Sequence, residues 1–144
     1  MNAKAYLELM KKQREELNNF PIAYAFDEKR LQEALEKLGA TREECVTVCG
    51  HGDVMKRTDV PKFTQLLKRH KEELYELLKD EDAAEGAFRY EMDNHEYFIN
   101  WDGDADVLAC FNLTEEKLKE MGLVRAYLRA RKAHMKFAED QGFI

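Results

Sequence analysis

Residues 59–79 read DVPKFTQLLKRHKEELYELLK, the strongest helical pattern in the chain. Apolar side chains recur there three and four residues apart, the spacing that fills one face of an α-helix; they are Phe63, Leu66, Leu67, Leu74, Leu77 and Leu78. Asp59 is predicted to cap this helix, and Pro61 falls in the first turn, where a missing N–H leaves no hydrogen bond unmade. His70 lies within the apolar row, so we interpret it as a structural anchor of the core.

Two more helices are predicted before this stretch. The first covers about residues 3–18, and the second runs between Asp27, its N-cap, and Gly39, which ends it. Residues 20–26 lie between these helices and form an apolar run without helical spacing. Such a run, bounded by Asn and Asp, predicts a buried strand or extended segment.

Further β structure is predicted around a glycine-rich tetrapeptide. Residues 46–49 and 54–57 are β-type runs on either side of Gly50-His51-Gly52-Asp53, which is the pattern of a β-hairpin. A capping-box turn over residues 41–44 precedes them.

The C-terminal half is predicted to be mainly helical. A helix over residues 80–94 has the predicted core face Ala84, Phe88, Met92 and His95. Residues 96–100 predict a short strand or turn, and residues 105–111 predict one or two helical turns. Thr114 is predicted to cap another turn, and a final helix covers residues 123–140.

The composition agrees with a mostly helical chain. Among 144 residues, Leu and Ala number 31 while Val and Ile number 9, which favours helices over sheet. We therefore predict an α+β fold: a mostly helical single domain over residues 1–144, with five to six helices and a small β-hairpin or short antiparallel sheet.

The charge, the apolar runs and the cysteine content indicate which classes of protein are disfavoured. The net charge of −6 disfavours general coating of nucleic acid. No apolar run approaches the roughly 20 residues of a membrane span, and no signal-peptide pattern opens the chain. Three cysteines, an odd number, predict reduced thiols. We expect a cytoplasmic protein that does not contact a membrane.

No metal or cofactor is predicted from the local motifs. Cys45, Cys49 and His51 lie within seven residues, but an extended strand would separate the two thiols by roughly 13 Å. Buried structural thiols are the preferred interpretation. A second motif resembles the opening of a calcium loop but lacks that loop's glycine and terminal glutamate; it comprises Asp102, Asp104 and Asp106. We predict no stoichiometric metal.

Charge is distributed unevenly along the chain. Residues 72–106 carry 13 acidic side chains against two basic ones, and residues 117–136 carry seven basic side chains against one acidic. The candidate partner-binding residues are four cations on one face of the final helix and six acids of the acidic segment: Arg125, Arg129, Lys132, Lys136, Asp80, Glu81, Asp82, Asp102, Asp104 and Asp106. A solvated face, or docking of the basic helix on the acidic segment, remains the alternative.

The apolar face of the final helix is thin. Val124, Leu128 and Met135 are predicted to face the core, and Arg131 interrupts their row. The basic helix at residues 123–140 is therefore predicted to pack loosely or to serve association.

Several short motifs of this sequence resemble those of a known family in their order and spacing. They include Phe20-Pro21, Ala25-Phe26, Leu38-Gly39, Lys56-Arg57, Tyr90-Glu91 and Asn94-His95-Glu96-Tyr97. Over roughly residues 7–116 the chain resembles a domain of unknown function found in small proteins of phages, plasmids and integrated elements of Gram-positive gut bacteria. The resemblance implies a mobile-element accessory protein and brings no assigned activity or cofactor. Asn94, His95 and Tyr97 are carried over as fold anchors.

Three functions remain open at this point. The first is a non-enzymatic interaction protein that binds a host or defence protein, or a second copy of itself, in an anti-defence or host-modulating role. The second is a nucleic-acid-associated accessory factor that uses the basic final helix. The third and weakest is a small enzyme centred on His95 and the nearby carboxylates of Glu91, Asp93 and Glu96. No nucleophile or oxyanion element is recognisable for it. We expect the first.

Overall fold

A computed structural model describes residues 3–48, 52–95 and 103–142 of the chain. The helices are α1 Lys4–Asn18, α2 Glu28–Leu38, α3 Val60–Leu78, α4 Glu81–Asn94, α5 Gly103–Ala109, α6 Glu115–Glu120 and α7 Val124–Asp140. The strands are β1 Ile22–Tyr24, β2 Cys45–Val46 and β3 Asp53–Lys56. The predicted mostly helical α+β class is confirmed. The described residues form seven α-helices rather than five to six, because α5 and α6 are each separate short helices.

The chain divides by its internal contacts into two compact units. One unit is Lys12–Lys71, and the other combines Met1–Lys11 with Glu72–Ile144. The boundaries fall inside α1 and α3, so both helices contribute residues to each unit. The single domain over residues 1–144 stays a prediction. No helix in the described ranges is long and apolar enough to cross a membrane.

The unit Lys12–Lys71 contains a three-stranded antiparallel sheet. Strand β3 lies at its centre, with β1 on one side and β2 on the other. Met55 of β3 pairs with Ile22 of β1 and Val46 of β2, and its side chain is fully buried. The antiparallel pairing of the predicted hairpin is confirmed in β2 and β3, although β2 is shorter than the predicted residues 46–49 and Asp53, predicted in the turn, begins β3. The apolar run at residues 20–26 supplies the third strand, although Tyr24 at the end of β1 is exposed.

Helix α2 begins and ends where its sequence predicts. The carboxylate of Asp27 accepts a hydrogen bond of 2.8 Å from the backbone N–H of Arg30. Gly39 ends the helix with φ at 63°, the left-handed conformation that glycine adopts readily. The predicted capping box of Thr41 and Glu44 is also present, in a 3₁₀ turn that leads into β2.

Gly52 has a left-handed backbone conformation and lies close to the residues that follow β1. Its φ is 80°, and an added Cβ would lie 3.0 Å from the Ala25 carbonyl oxygen and from the Phe26 ring. Gly52→Ala is therefore expected to lower the free energy of unfolding by about 2–3 kcal/mol, from backbone strain plus steric conflict. Urea unfolding monitored by circular dichroism measures this change.

Gly39→Ala is the matched control for this substitution. Gly39 also has a positive φ, but an added Cβ would meet nothing within 4 Å. It should cost only the strain of the left-handed backbone, about 1 kcal/mol. Equal losses at the two positions would contradict a steric role for Gly52.

The unit that contains α4 and α7 has an aromatic core. Phe88 of α4 is fully buried, and its ring makes edge-on contacts with Phe111 at 5.0 Å and with Tyr127 at 5.3 Å between centroids. The predicted core positions Ala84, Phe88 and Met92 are confirmed as fully buried.

Helix α7 packs through a face other than the predicted one. Its buried residues are Ala126, Tyr127, Ala130, His134 and Ala138. The row predicted to face the core is displaced by about a third of a turn, and Val124 and Leu128 are exposed while Met135 is half-buried. The prediction of the core-facing row was wrong because alanines, a tyrosine and a histidine, rather than the aliphatic side chains, form the packed face.

Helix α7 packs against α4 through its buried face. These two helices make the most extensive contact between elements in the described residues. Phe88 and Asp93 of α4 contact Tyr127 and His134 of α7, and Ala126 and Ala130 lie on the same buried face of α7. The opposite side of α7 is exposed, and its use in association stays a prediction.

Candidate functional site

Four polar side chains meet inside the unit that contains α4. We call Tyr6, Glu91, His95 and Cys110 the Glu91 cluster. Helix α4 supplies Glu91 and His95 one turn apart on the same face, since residues four apart are neighbours on a helix. Cys110 follows the last residue of α5, and Tyr6 comes from the first turn of α1. The cluster is thus formed at the C-terminal ends of α4 and α5 and by the buried Tyr6 ring of α1.

The polar atoms of the cluster converge on Glu91 and His95. The Tyr6 hydroxyl donates a hydrogen bond of 2.6 Å to Oε1 of Glu91. His95 Nε2 lies 3.0 Å from Oε2 of the same carboxylate. The Sγ of Cys110 lies 3.5 Å from His95 Nε2 and 3.5 Å from the Asp106 carbonyl oxygen.

Burial differs sharply across the cluster. Glu91 is only 5% exposed, whereas the His95 side chain is 46% exposed. Burial and the hydrogen bond to Glu91 raise the pKa of Tyr6 well above its ordinary value. Burial, reinforced by the charge of Glu91, raises the pKa of Cys110 to about 11. The Glu91 carboxylate is therefore buried, whereas one edge of the His95 imidazole ring is exposed to solvent.

The geometry does not match a nucleophile–base relay. In such a relay the histidine uses one nitrogen for the nucleophile and the other for the orienting carboxylate. Here the same atom, Nε2 of His95, faces both Cys110 and Glu91. A thiol with a raised pKa is also a poor nucleophile at neutral pH. The cluster instead brings together three potential ligand atoms of different type: a carboxylate oxygen, an imidazole nitrogen and a thiol sulfur.

Part of this cluster was predicted from the sequence. Glu91 and His95 lie four residues apart on a predicted helix, and this spacing was the available signal. His95 was wrongly predicted to face the core; it ends α4 as the C-terminal cap residue, and its ring reaches solvent. Cys110 was missed because its distance along the chain from α4 carries no local pattern.

The other residues considered around His95 lie elsewhere. The Asp93 carboxylate contacts the buried His134, with Oδ1 2.6 Å from Nδ1, and Arg89, with Oδ2 3.5 Å from Nε. Glu96 lies outside the described residues, as does the predicted anchor Tyr97. Asn94, the neighbouring anchor, is the last residue of α4 and is exposed.

His70 occupies a structural position in the unit Lys12–Lys71. It is buried on α3, its carbonyl oxygen accepts a hydrogen bond from Gln13, and its Nε2 lies 3.5 Å from Oε1 of Glu16. Arg69 donates hydrogen bonds to Glu16, which lowers the pKa of that carboxyl. His70 is buried, and its role as a fold anchor stays a prediction.

The four cations of α7 are all exposed, and we call Arg125, Arg129, Lys132 and Lys136 the cationic stripe. Arg125 and Arg129 contact Oε1 of Glu81 at 3.4 and 3.8 Å. Lys132 and Lys136 have no ion-pair partner within 4.0 Å in the described part of the chain. Half of the stripe therefore docks on the acidic segment, and the other half remains open.

The acidic candidates have different local roles. Asp80 is the N-cap of α4, where its side chain accepts hydrogen bonds from the backbone N–H groups of Asp82 and Ala83. Asp104 accepts a hydrogen bond from the Tyr127 hydroxyl, and Asp106 is exposed in the first turn of α5. Asp102 lies outside the described residues.

The predicted cysteine motif is described only at its first member. Cys45 is a half-buried free thiol in β2, and burial raises its pKa. Cys49 and His51 lie outside the described residues, so the interpretation of this motif stays a prediction.

Comparison with known proteins gives one match. No curated protein and no solved structure is similar to this chain at a significant level. A family of unknown function, DUF7659, matches residues 5–134, which is most of the chain and includes the Glu91 cluster and most of α7. On the extent of this match, the chain belongs to the DUF7659 family of unknown function.

Proposed function

We propose that this chain is a non-enzymatic interaction protein that binds an acidic surface of a host or defence protein through α7. We further propose that it serves a phage or another mobile element, in an anti-defence or host-modulating role. The mobile-element setting rests on the resemblance drawn from the sequence. The observation that carries the binding proposal is an exposed apolar row beside the cationic stripe.

Val124 and Leu128 form that apolar row. They are 36% and 50% exposed, and on the helix they lie between the buried face and the cationic stripe. Exposed apolar side chains gain free energy when a partner removes them from water. Adjacent cations orient an acidic partner and speed its approach. The two features together fit a protein surface that is acidic at its rim and apolar at its centre.

A nucleic-acid backbone would also attract four cations, but two observations favour a protein. The net charge of −6 opposes the long-range approach of a polyanion. The apolar row gains nothing from phosphates, which are read by charge alone.

Reversal of three charges tests the proposal. The variant in which Arg125, Arg129 and Lys132 are all changed to Glu should keep its fold, because exposed ion pairs contribute little to stability. It should lose the partner complex. The measurement is affinity capture from a lysate of a Gram-positive gut bacterium, with and without nuclease, together with light scattering for the oligomeric state.

A matched variant controls for total charge. Lys29, Lys37 and Lys68 are exposed cations of the other unit, and their change to Glu alters the net charge by the same amount. We expect a nuclease-resistant protein partner that the control variant keeps and the stripe variant loses. Capture that disappears with nuclease, or that the stripe variant retains in full, would overturn the proposal.

A further inference from the structure

Three potential metal-ligand atoms of the Glu91 cluster lie close to one another. His95 Nε2 lies 3.0 Å from Glu91 Oε2 and 3.5 Å from Cys110 Sγ. A ring nitrogen acts either as donor or as acceptor, so it cannot accept from the thiol while it donates to the carboxylate. Ligand atoms of all three side chains lie within 4.8 Å of one another. Such convergence is the arrangement that a shared cation would use.

The spacing of these atoms fits a tetrahedral metal ion. Zinc holds histidine nitrogen at about 2.0 Å and cysteine sulfur at about 2.3 Å, so a tetrahedron separates these two ligand atoms by about 3.5 Å. The observed separation of His95 Nε2 and Cys110 Sγ is 3.5 Å. The corresponding edge between a zinc-bound nitrogen and a zinc-bound oxygen is about 3.3 Å, so a small rotation of the exposed His95 ring would open the 3.0 Å separation from Glu91 to that length.

We propose that Glu91, His95 and Cys110 form a zinc-binding site. The donor set is one carboxylate oxygen, one imidazole nitrogen and one thiolate. This mixture suits zinc, whereas magnesium and calcium prefer oxygen ligands alone. On binding, the Cys110 thiol loses its proton to solvent and the thiolate becomes the ligand. Three protein ligands are the number found in zinc sites that keep a position for water or another molecule.

Tyr6 gives the site its outer support. Its hydroxyl donates to Oε1 of Glu91, which leaves Oε2 directed at His95. Partners that orient a metal-ligating carboxylate typically change metal affinity by about 10- to 100-fold when they are removed. Tyr6 is a positioning residue of the site.

This inference revises the expectation of no stoichiometric metal. That expectation rested on motifs that are local in the sequence, at Cys45 to His51 and at Asp102 to Asp106. The site proposed here uses none of those residues. It is also independent of the cationic stripe, so either proposal can fail without the other.

The test is metal binding by the full chain, purified in the presence of a phosphine reductant and freed of metal with a chelator. Zinc affinity is measured by competition with a chromophoric chelator. Cobalt(II) is the spectroscopic probe, because a thiolate ligand gives it a charge-transfer band in the near ultraviolet. We expect about one ion per chain and this band in the wild-type protein.

Three variants assign the ligands. Cys110→Ser should abolish the cobalt charge-transfer band, and His95→Ala should weaken zinc binding at least about 100-fold, more than loss of an outer partner would. His95 is half exposed, so its substitution leaves the core intact. Tyr6→Phe should weaken zinc binding by about 10-fold while the cobalt band persists.

Cys45→Ser is the matched control, since it removes the other described free thiol. It should bind zinc and cobalt as the wild-type chain does. Wild-type binding no tighter than that of His95→Ala, or a cobalt band that survives Cys110→Ser, would overturn the proposal. Circular dichroism of each variant without metal distinguishes loss of a ligand from loss of fold.

Discussion

Phe88→Ala is expected to lower the free energy of unfolding by about 3–5 kcal/mol. The Phe88 side chain is fully buried, and its ring contacts Phe111 and Tyr127 edge-on. Its truncation removes buried apolar area and both aromatic contacts, and it leaves a cavity between helices that cannot fully close. Chemical denaturation of the variant, followed by circular dichroism, measures the loss.

Phe26→Ala provides the same chemical change at a surface position. Phe26 is 72% exposed, so its truncation should change the free energy of unfolding by no more than about 0.5 kcal/mol. If the two alanine variants lost similar stability, Phe88 could not be the centre of the aromatic core.

Substitution of Tyr6 is the second change with a large expected effect. Tyr6→Ala should cost about 3–5 kcal/mol, because the ring is 3% exposed and packs against Tyr90 and Phe111. Tyr6→Phe should cost about 1–3 kcal/mol, because it removes only the hydroxyl that donates to the buried Glu91 carboxylate. Denaturation of both variants separates the packing contribution from the hydrogen bond.

Tyr24→Phe is the hydroxyl control for this series. Tyr24 is exposed, so loss of its hydroxyl should leave stability unchanged within about 0.5 kcal/mol. If Tyr6→Phe were as mild as Tyr24→Phe, the Glu91 carboxylate would have to find another donor.

Elements with a local signal were predicted well from the sequence. Helix α2 has its N-cap at Asp27 and its terminating glycine at Gly39, as predicted, because both residues act on their own backbone. Helix α3 follows its apolar period at Phe63, His70 and Leu78, which are buried. Leu67, predicted in the same row, is 44% exposed. Such features are fixed by interactions within a few residues, which is why one sequence is enough to find them.

Features that depend on distant contacts were predicted less well. The packed face of α7 was missed because Ala126 and Ala130 carry little hydrophobic weight, although both are buried. Glu91 and His95 of the Glu91 cluster could be predicted together because they share a helix face. Cys110 could not, because only the folding of the chain brings it close to them. In both cases the surroundings of a residue depend on its position in the folded chain, which residue type alone does not reveal.

The contact between α4 and α7 sets an upper limit on side-chain volume where the two helices meet. Ala126 and Ala130 are buried on the same face of α7 as Tyr127, and a close-packed interior leaves no room for added methylene groups. A larger side chain on one helix is therefore expected to need a smaller one opposite it. Phe88 and Tyr127, some forty positions apart in the chain, are in ring contact, so substitutions at these two positions are expected to be coupled by volume rather than by chemistry.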